Sequence, residues 1–225
     1  MAMDDRIPSR KAMKAALVVR HGKDLQSKFE KATVVICGLG GLGSNIATAL
    51  ARAGVGKLIL IDFDKVDITN LHRQQYKASQ IGMLKTDAMK ENLKEIAPYV
   101  DVITYNEKIT EDNCCQLFLE DGVVNEADII CEAFDDAAAK AMLVNFVLAS
   151  MPEKYLVAAS GMAGLGSPNA IHTRKVLKRF YLCGDEVSDA ADDIGLVSSR
   201  VMLCAAHQAH TVLRILAGQY EVIEV

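Results

Sequence analysis

The sequence predicts an α/β fold, a Rossmann-like doubly wound and mostly parallel sheet with N-terminal helices and an antiparallel C-terminal extension. Three observations predict it. Short apolar runs rich in Val and Ile alternate with helix-period segments between residues 33 and 159. A glycine-rich turn joins the first such run to the first helix of the series, and after residue 160 the alternation gives way to two adjacent strand-like runs and one long helix.

Residues 9–30 read as one or two basic helices, interrupted at His21-Gly22. The β-branched run 33–37 is a strand, the turn Gly38-Leu-Gly-Gly-Leu-Gly43 follows, and 44–53 carries helical spacing until Gly54 stops it. With a second buried strand at 57–62 these make a βαβ unit. The polar run 63–76 is too long for a tight connection and is a functional candidate on length alone. A helix at 86–97 is closed by Pro98, and a strand at 100–105, a helix after Thr110 and a strand at 127–131 continue the series. An acidic loop, 132–136, opens the alanine-rich helix 137–150, and a fifth strand spans 155–159. Beyond the glycine-rich loop 160–167, the runs 169–175 and 179–183 form an antiparallel pair. A polar stretch 184–193, expected to be a mobile cover, leads to a helix at 198–217 and a short strand at 219–225. Nothing marks a second domain: 1–225 is one unit, with an N-terminal helical arm 1–30, a βα core 31–160 and an extension 161–225.

Composition removes whole classes. A chain of 225 residues with 51% hydrophobic content can bury a sizeable core. A formal charge of −4, 5% aromatic residues and no Trp provide neither a basic stripe nor a stacking platform, which counts against nucleic acid as the main partner. The first six residues hold no apolar signal core, and the longest uncharged stretch, 155–173, is broken by three glycines and Pro168, so no membrane span is expected. The six cysteines, Cys37, Cys114, Cys115, Cys131, Cys183 and Cys204, include no C-x-x-C pair, the pattern of reduced cytoplasmic thiols without structural zinc.

Gly38, Gly40 and Gly43 satisfy G-x-G-x-x-G after a strand and at the opening of a helix, with Asp62 closing the second strand. Such glycines bring backbone N–H groups to a phosphate at the helix N-terminus, and a carboxylate at the second strand end can accept both hydrogen bonds of a ribose diol. A nicotinamide dehydrogenase explains too little here. Its pyrophosphate is served by the helix terminus, whereas Asp62 is followed by Asp64, Asn70, Arg73, Gln74 and Lys85. That cluster suits a triphosphate: Arg73 and Lys85 neutralise phosphate oxygens, and Asp135 and Asp136 at a later strand end are hard oxygen ligands for Mg²⁺. His207 and His210 lie three apart on the long helix without a third ligand, which reads as packing, and Cys114-Cys115 read as core or partly exposed thiols.

Six separated motifs then agree in order. Gly38–Gly43, Gly54-Val-Gly-Lys57, Ile61-Asp-Phe-Asp64, Thr69-Asn-Leu-His-Arg-Gln74, Gly82-x-x-Lys85 and the Asp135 loop resemble the ThiF/MoeB/HesA adenylyltransferases, relatives of ubiquitin-activating enzymes, over about residues 30–220. The ending, with Gly161-Met-Ala-Gly164 and Tyr181-Leu-Cys-Gly-Asp185, looks most like the short ThiF-type members. The resemblance implies ATP- and Mg²⁺-dependent adenylation of the C-terminal glycine of a ThiS-like ubiquitin-fold sulfur carrier for thiamine thiazole synthesis. The tRNA threonylcarbamoyladenosine cyclase branch is the sibling alternative, and an NAD-dependent oxidoreductase the one from another class.

By the same resemblance Asp62 and Asn70 serve the ribose, Arg73 and Lys85 the phosphates, Asp135 the Mg²⁺, and Gly41 a close backbone approach, while Asp64 and Gln74 belong to the motifs without an assigned role. Relatives work as homodimers in which an N-terminal arginine reaches the partner's site. Arg20 is the first candidate and Arg10 the second, although counting back from the glycine loop lands on Lys14. The two zinc-binding C-x-x-C pairs of longer relatives are absent, as is their loop cysteine. Cys183 is left either as an exposed thiol beside the Gly184-Asp185 turn or as a buried strand cysteine.

Overall fold

The computed structural model describes residues 7–120, 122–189, 191 and 194–222. Two helices, α1 (Arg10–His21) and α2 (Lys23–Lys31), precede β1 (Thr33–Cys37), α3 (Gly41–Ala53) and β2 (Lys57–Ile61). Next come α4 (Lys85–Ile96), β3 (Asp101–Tyr105), a π-turn at Gln116–Glu120, α5 (Gly122–Asn125), β4 (Ile129–Glu132), α6 (Ala137–Ser150) and β5 (Tyr155–Ala159). The hairpin β6 (His172–Leu177) and β7 (Phe180–Gly184) and the long α7 (Ser198–Ala217) complete the chain.

Among the described residues the strands form one sheet in the order β3-β2-β1-β4-β5-β7-β6, parallel throughout except that β6 runs antiparallel to β7. This is the doubly wound, mostly parallel sheet expected from the sequence. Side-chain alternation divides the core into two layers. Val34, Ile36, Leu58, Leu60, Cys131, Val157 and Cys183 pack under α3, α4 and α7. Val35, Cys37, Ile59, Ile61, Ile130 and Leu156 face α6 and the Phe118 region on the other side. Strands buried on both faces explain the continuous apolar runs, each fully buried Ile or Leu contributing about 1.5–3 kcal/mol.

Local chemistry sets the element ends. Gly54 and Gly218 close α3 and α7 in left-handed conformations, and the Asp136 carboxylate accepts the Ala139 N–H at 2.7 Å to cap α6. Three expectations shift. The helix after Thr110 is only a π-turn and the short α5. Strand β6 begins at His172, because Ser167 caps a 3₁₀ turn over Pro168–Ala170 that uses the residues expected to start it. Residues 219–222 form no strand: the Tyr220 carbonyl accepts from the Tyr181 hydroxyl, and its ring stacks on Tyr155 at 5.6 Å. The rest of that expected strand, 223–225, lies outside the described residues, as do parts of the polar stretch 184–193.

Candidate nucleotide-binding site

Strand order reverses direction at β1, whose neighbours are β2 and β4, and the crevice outside such a switch point is where open α/β sheets take ligands. A cavity of about 430 Å³ opens there, lined by the turn after β1, Asp62 after β2, the 133–136 loop after β4 and Ser160–Met162 after β5.

The glycine turn is held in place from several sides. Gly38 has φ of 92°, and a Cβ on it would come within 2.8 Å of the Ala133 carbonyl. A Cβ on Gly43 would overlap the Gly38 carbonyl oxygen, so this position sets how closely α3 packs on β1. Leu39 donates its N–H to Asp62 Oδ2 at 2.6 Å and accepts the Tyr76 hydroxyl on its carbonyl at 2.7 Å. No side chain caps α3 at Gly40, so the first-turn N–H groups face the cavity mouth uncapped. A Cβ on Gly41 would meet Val201 of α7 at 2.7 Å, which places the first turn of α7 against the glycine turn.

Asp62 is nearly buried, and its second oxygen accepts the Asp64 N–H at 2.7 Å. Burial raises its pKa, and the Lys85 ammonium and these two N–H bonds pull it back. Lys85 donates to Asp64 Oδ2 at 2.7 Å, its stem buried and its charge turned to the cavity wall. Arg73 Nη1 donates to the Thr69 carbonyl at 3.0 Å. Its Nε, like Gln74 Oε1, is buried without a hydrogen-bond partner, and both side chains line the cavity. Buried polar atoms without partners are costly, and these two belong to side chains that line the cavity.

Asp135 is exposed at the rim and has no hydrogen bond or ion pair among the described residues. Among them no three His, Cys, Asp or Glu side chains converge to hold a metal by themselves. A cation brought in by phosphates needs only one or two carboxylates, which Asp135 fits and Asp136, already capping α6, fits less well.

The other residues singled out in the sequence lie as follows. Asn70 is not among the residues lining the cavity, and its Oδ1 accepts the Asp67 N–H at 3.2 Å in a capping box. Gly43 likewise packs α3 rather than touching the cavity. Cys183 is fully buried between Thr173 and Thr211, and burial pushes its thiol up to about 11, so the exposed-nucleophile reading does not hold. Arg20 is exposed on α1, away from this chain's own cavity. His207 bonds Thr173 Oγ1 at 3.0 Å and lines a separate groove with His210.

The cavity also recruits residues the sequence did not single out. Phe63 and Phe134 flank it, Lys108 lies over the Phe63 ring at 5.5 Å, and Lys140 reaches its wall from α6. The spacing from Glu132 to Lys140, one strand end and one helical turn beyond the cap, was the available signal for the last.

The chain matches a family described as the ThiF family over residues 12–224. It is 30% identical over 201 residues, 87% of its length, to an adenylyltransferase and sulfurtransferase UBA4 of Lodderomyces elongisporus, and it spans 42% of that protein. It is 41% identical over 113 residues, 49% of its length, to a tRNA threonylcarbamoyladenosine dehydratase of Bacillus subtilis, and that stretch is 44% of the relative. Among solved structures, E. coli tRNA N6-threonylcarbamoyladenosine dehydratase in complex with ATP shares the fold with a TM-score of 0.81 at 20% identity, covering 97% of this chain and 98% of the other. E. coli MccB with ATP gives 0.68 at 21% identity, covering 96% and 67%.

Proposed function

The chain belongs to the ThiF family, and from that premise we propose that it adenylates the C-terminal glycine carboxylate of a small ubiquitin-fold sulfur carrier of the ThiS type, in the service of thiamine thiazole synthesis. The single observation that carries the nucleotide half is the convergence of Arg73, Gln74 and Lys85 on the cavity beside an uncapped helix N-terminus.

The reaction needs little from the protein beyond placement. A carboxylate oxygen attacks the α-phosphorus of ATP, the bond from that phosphorus to the bridging oxygen of the β-phosphate breaks, and pyrophosphate leaves with the electron pair. No proton moves, so no Ser-His-Asp or Cys-His constellation is required. Arg73 and Lys85 oppose the charge that builds on the phosphate oxygens, Asp62 accepts from the ribose, and Phe63 and Phe134 give the base apolar walls. Mg²⁺, held by Asp135 and the phosphates, would neutralise further phosphate charge. Arg20 of a second copy completes the site in a homodimer.

The test is exchange of labelled pyrophosphate into ATP that depends on a Gly-Gly-ended carrier and is lost in Arg73→Ala and Asp135→Ala. Absence of exchange with every such carrier overturns the reading. The likeness to the Bacillus subtilis protein supports a second reading, the same chemistry on a carboxylate of modified tRNA. The net charge of −4 counts against it. Exchange driven by tRNA and not by a carrier would select it.

A further inference from the structure

One charged pair at the cavity has no part in the chemistry above. Glu132, the last residue of β4, has a fully buried carboxylate in the middle of the molecule. Both oxygens accept from Lys140 Nζ, at 2.8 and 2.7 Å. Oε1 also accepts the Phe134 N–H at 2.7 Å, Oε2 lies 3.5 Å from the Ala159 N–H, and the Glu132 carbonyl accepts Gln208 Nε2 at 2.9 Å. One residue thus ties its own loop to the end of β5, to α6 and to α7. A buried ion pair is a poor source of stability, since apolar side chains of similar volume often do as well. Its position suggests another use.

The loop it holds, 133–136, carries Asp135. The bond from Phe134 fixes the Ala133-Phe134 peptide, and that peptide is the surface on which Gly38 packs, 2.8 Å from the place a Cβ would take. At the other end, Lys140 lies one turn beyond the Asp136 cap of α6, so its bond to Glu132 pulls the helix start toward β4. Asp135 sits between these two anchors, its own carboxylate without a partner among the described residues. With Lys140 Nζ engaged twice by Glu132, the ammonium serves the loop first and the cavity second.

We propose that the Glu132–Lys140 pair is the positioning device of this site, fixing the 133–136 loop against the glycine turn so that the Asp135 carboxylate meets the cation carried by the nucleotide phosphates. Glu132 and Lys140 are positioning residues, acting through Asp135. The proposal rests on the nucleotide reading above, and its test separates the two.

The test is calorimetric binding of ATP to the full chain, once with excess Mg²⁺ and once with a chelator. The variant is Glu132→Gln with Lys140→Met, which removes both charges together and leaves neither buried alone; Glu132→Gln by itself serves if the pair does not fold. Loss of outer-shell support lowers metal affinity by about 10–100-fold, so the gain in ATP affinity that Mg²⁺ gives the unmodified chain falls by that order. Metal-free ATP affinity falls by a smaller factor than the Mg²⁺ gain does, since Asp135 acts only through the cation. Asp135→Asn alone shows the same loss, and adding it to the variant brings no further loss, while Lys140→Arg keeps most of the gain. A folded variant that retains the full Mg²⁺ gain overturns the proposal, as does one in which metal-free binding falls equally, because Lys140 would then touch phosphate itself. No ATP binding by the unmodified chain overturns the nucleotide reading instead.

Discussion

The Tyr76 hydroxyl donates to the Leu39 carbonyl at 2.7 Å, which clamps the glycine turn from the side opposite Asp62. Tyr76 comes from the end of the long polar connection after β2, so that connection supports the turn as well as carrying Arg73 and Gln74. Removing the hydroxyl in Tyr76→Phe leaves the Leu39 carbonyl without this donor and costs about 1–3 kcal/mol. In a chain of this length the melting temperature falls roughly 2–4 °C per kcal/mol. Urea unfolding with and without ATP reads both this loss and the weaker grip on nucleotide; an unchanged midpoint would show that the hydroxyl supports nothing.

Arg73 behaves differently. Its Nε has no partner and its Nη1 bond to the Thr69 carbonyl is an exposed one, so Arg73→Met costs no more than about 0.5–1.5 kcal/mol and moves the unfolding midpoint little. Pyrophosphate exchange falls by about 10²–10³-fold, the usual consequence of removing one donor aimed at developing charge. Stopped exchange with a midpoint little moved is the expected pattern, and a large fall in both would place Arg73 among the structural residues.

Arg200 and Asp185 form a buried ion pair at 2.5 Å, each side chain under a tenth exposed, and Arg200 also donates to the Gly166 and Ser167 carbonyls. Arg200→Met strands the Asp185 charge and costs about 3–5 kcal/mol. Ser188, which accepts the Ala163 N–H and lines the cavity, is bonded to Asp185 Oδ1, so a shift of the stranded carboxylate carries it along. The Michaelis constant for ATP therefore rises as the midpoint falls.

Acid acts on the same pair. Burial opposes the Asp185 charge, but the Ser188 and Val187 N–H groups, Arg200 and the Ser188 hydroxyl outweigh it and hold the carboxyl at about 2. A carboxyl depressed below its unfolded value stabilises the fold above that unfolded value, near 3.8, and loses the contribution as pH drops toward about 2. The window contributes about 2 kcal/mol. Asp185→Asn removes this part of the acid dependence, and urea midpoints measured from pH 5 to pH 2 test it; an equal slope in both proteins refutes the assignment.

Thiol reactivity separates the cysteines. Cys115 is exposed, whereas Cys37, Cys131, Cys183 and Cys204 are buried with their thiols held neutral by burial. Native-state alkylation near pH 8 labels Cys115 and spares these four. Cys183→Ala keeps pyrophosphate exchange, and abolished exchange in a folded variant would restore Cys183 as a reacting thiol.

What the sequence made legible was local. The turn from Gly38 to Gly43 announces itself because strand, glycines and helix are neighbours in the chain, and the β strands stand out because burial on both faces leaves them almost continuously apolar. Asn70 caps the turn that contains it by accepting from Asp67, three residues earlier, and the sequence does not say whether a cap or a ligand takes such a side chain. Cys183 follows Tyr181 by two in β7, and that parity puts it under α7; the adjacent Gly184 suggested exposure, yet its backbone lies against Ser160. The clamps joining Tyr76 to Leu39, Arg200 to Asp185 and Gln208 to Glu132 bring together segments 15 to 76 residues apart, and no periodicity encodes them.

Helix α1 contains no buried residue. Among the bonds that tie it down are the exposed pair Lys14 to Glu30 and the half-buried His21 to Gln26, with Tyr99 holding Pro8 just ahead of it. Few buried contacts mean a small opening free energy, and hydrogen exchange is expected to reach its amides before those of α3. A segment that lifts at so little cost takes its resting place from whatever surface it next packs against, and Arg20 travels with it.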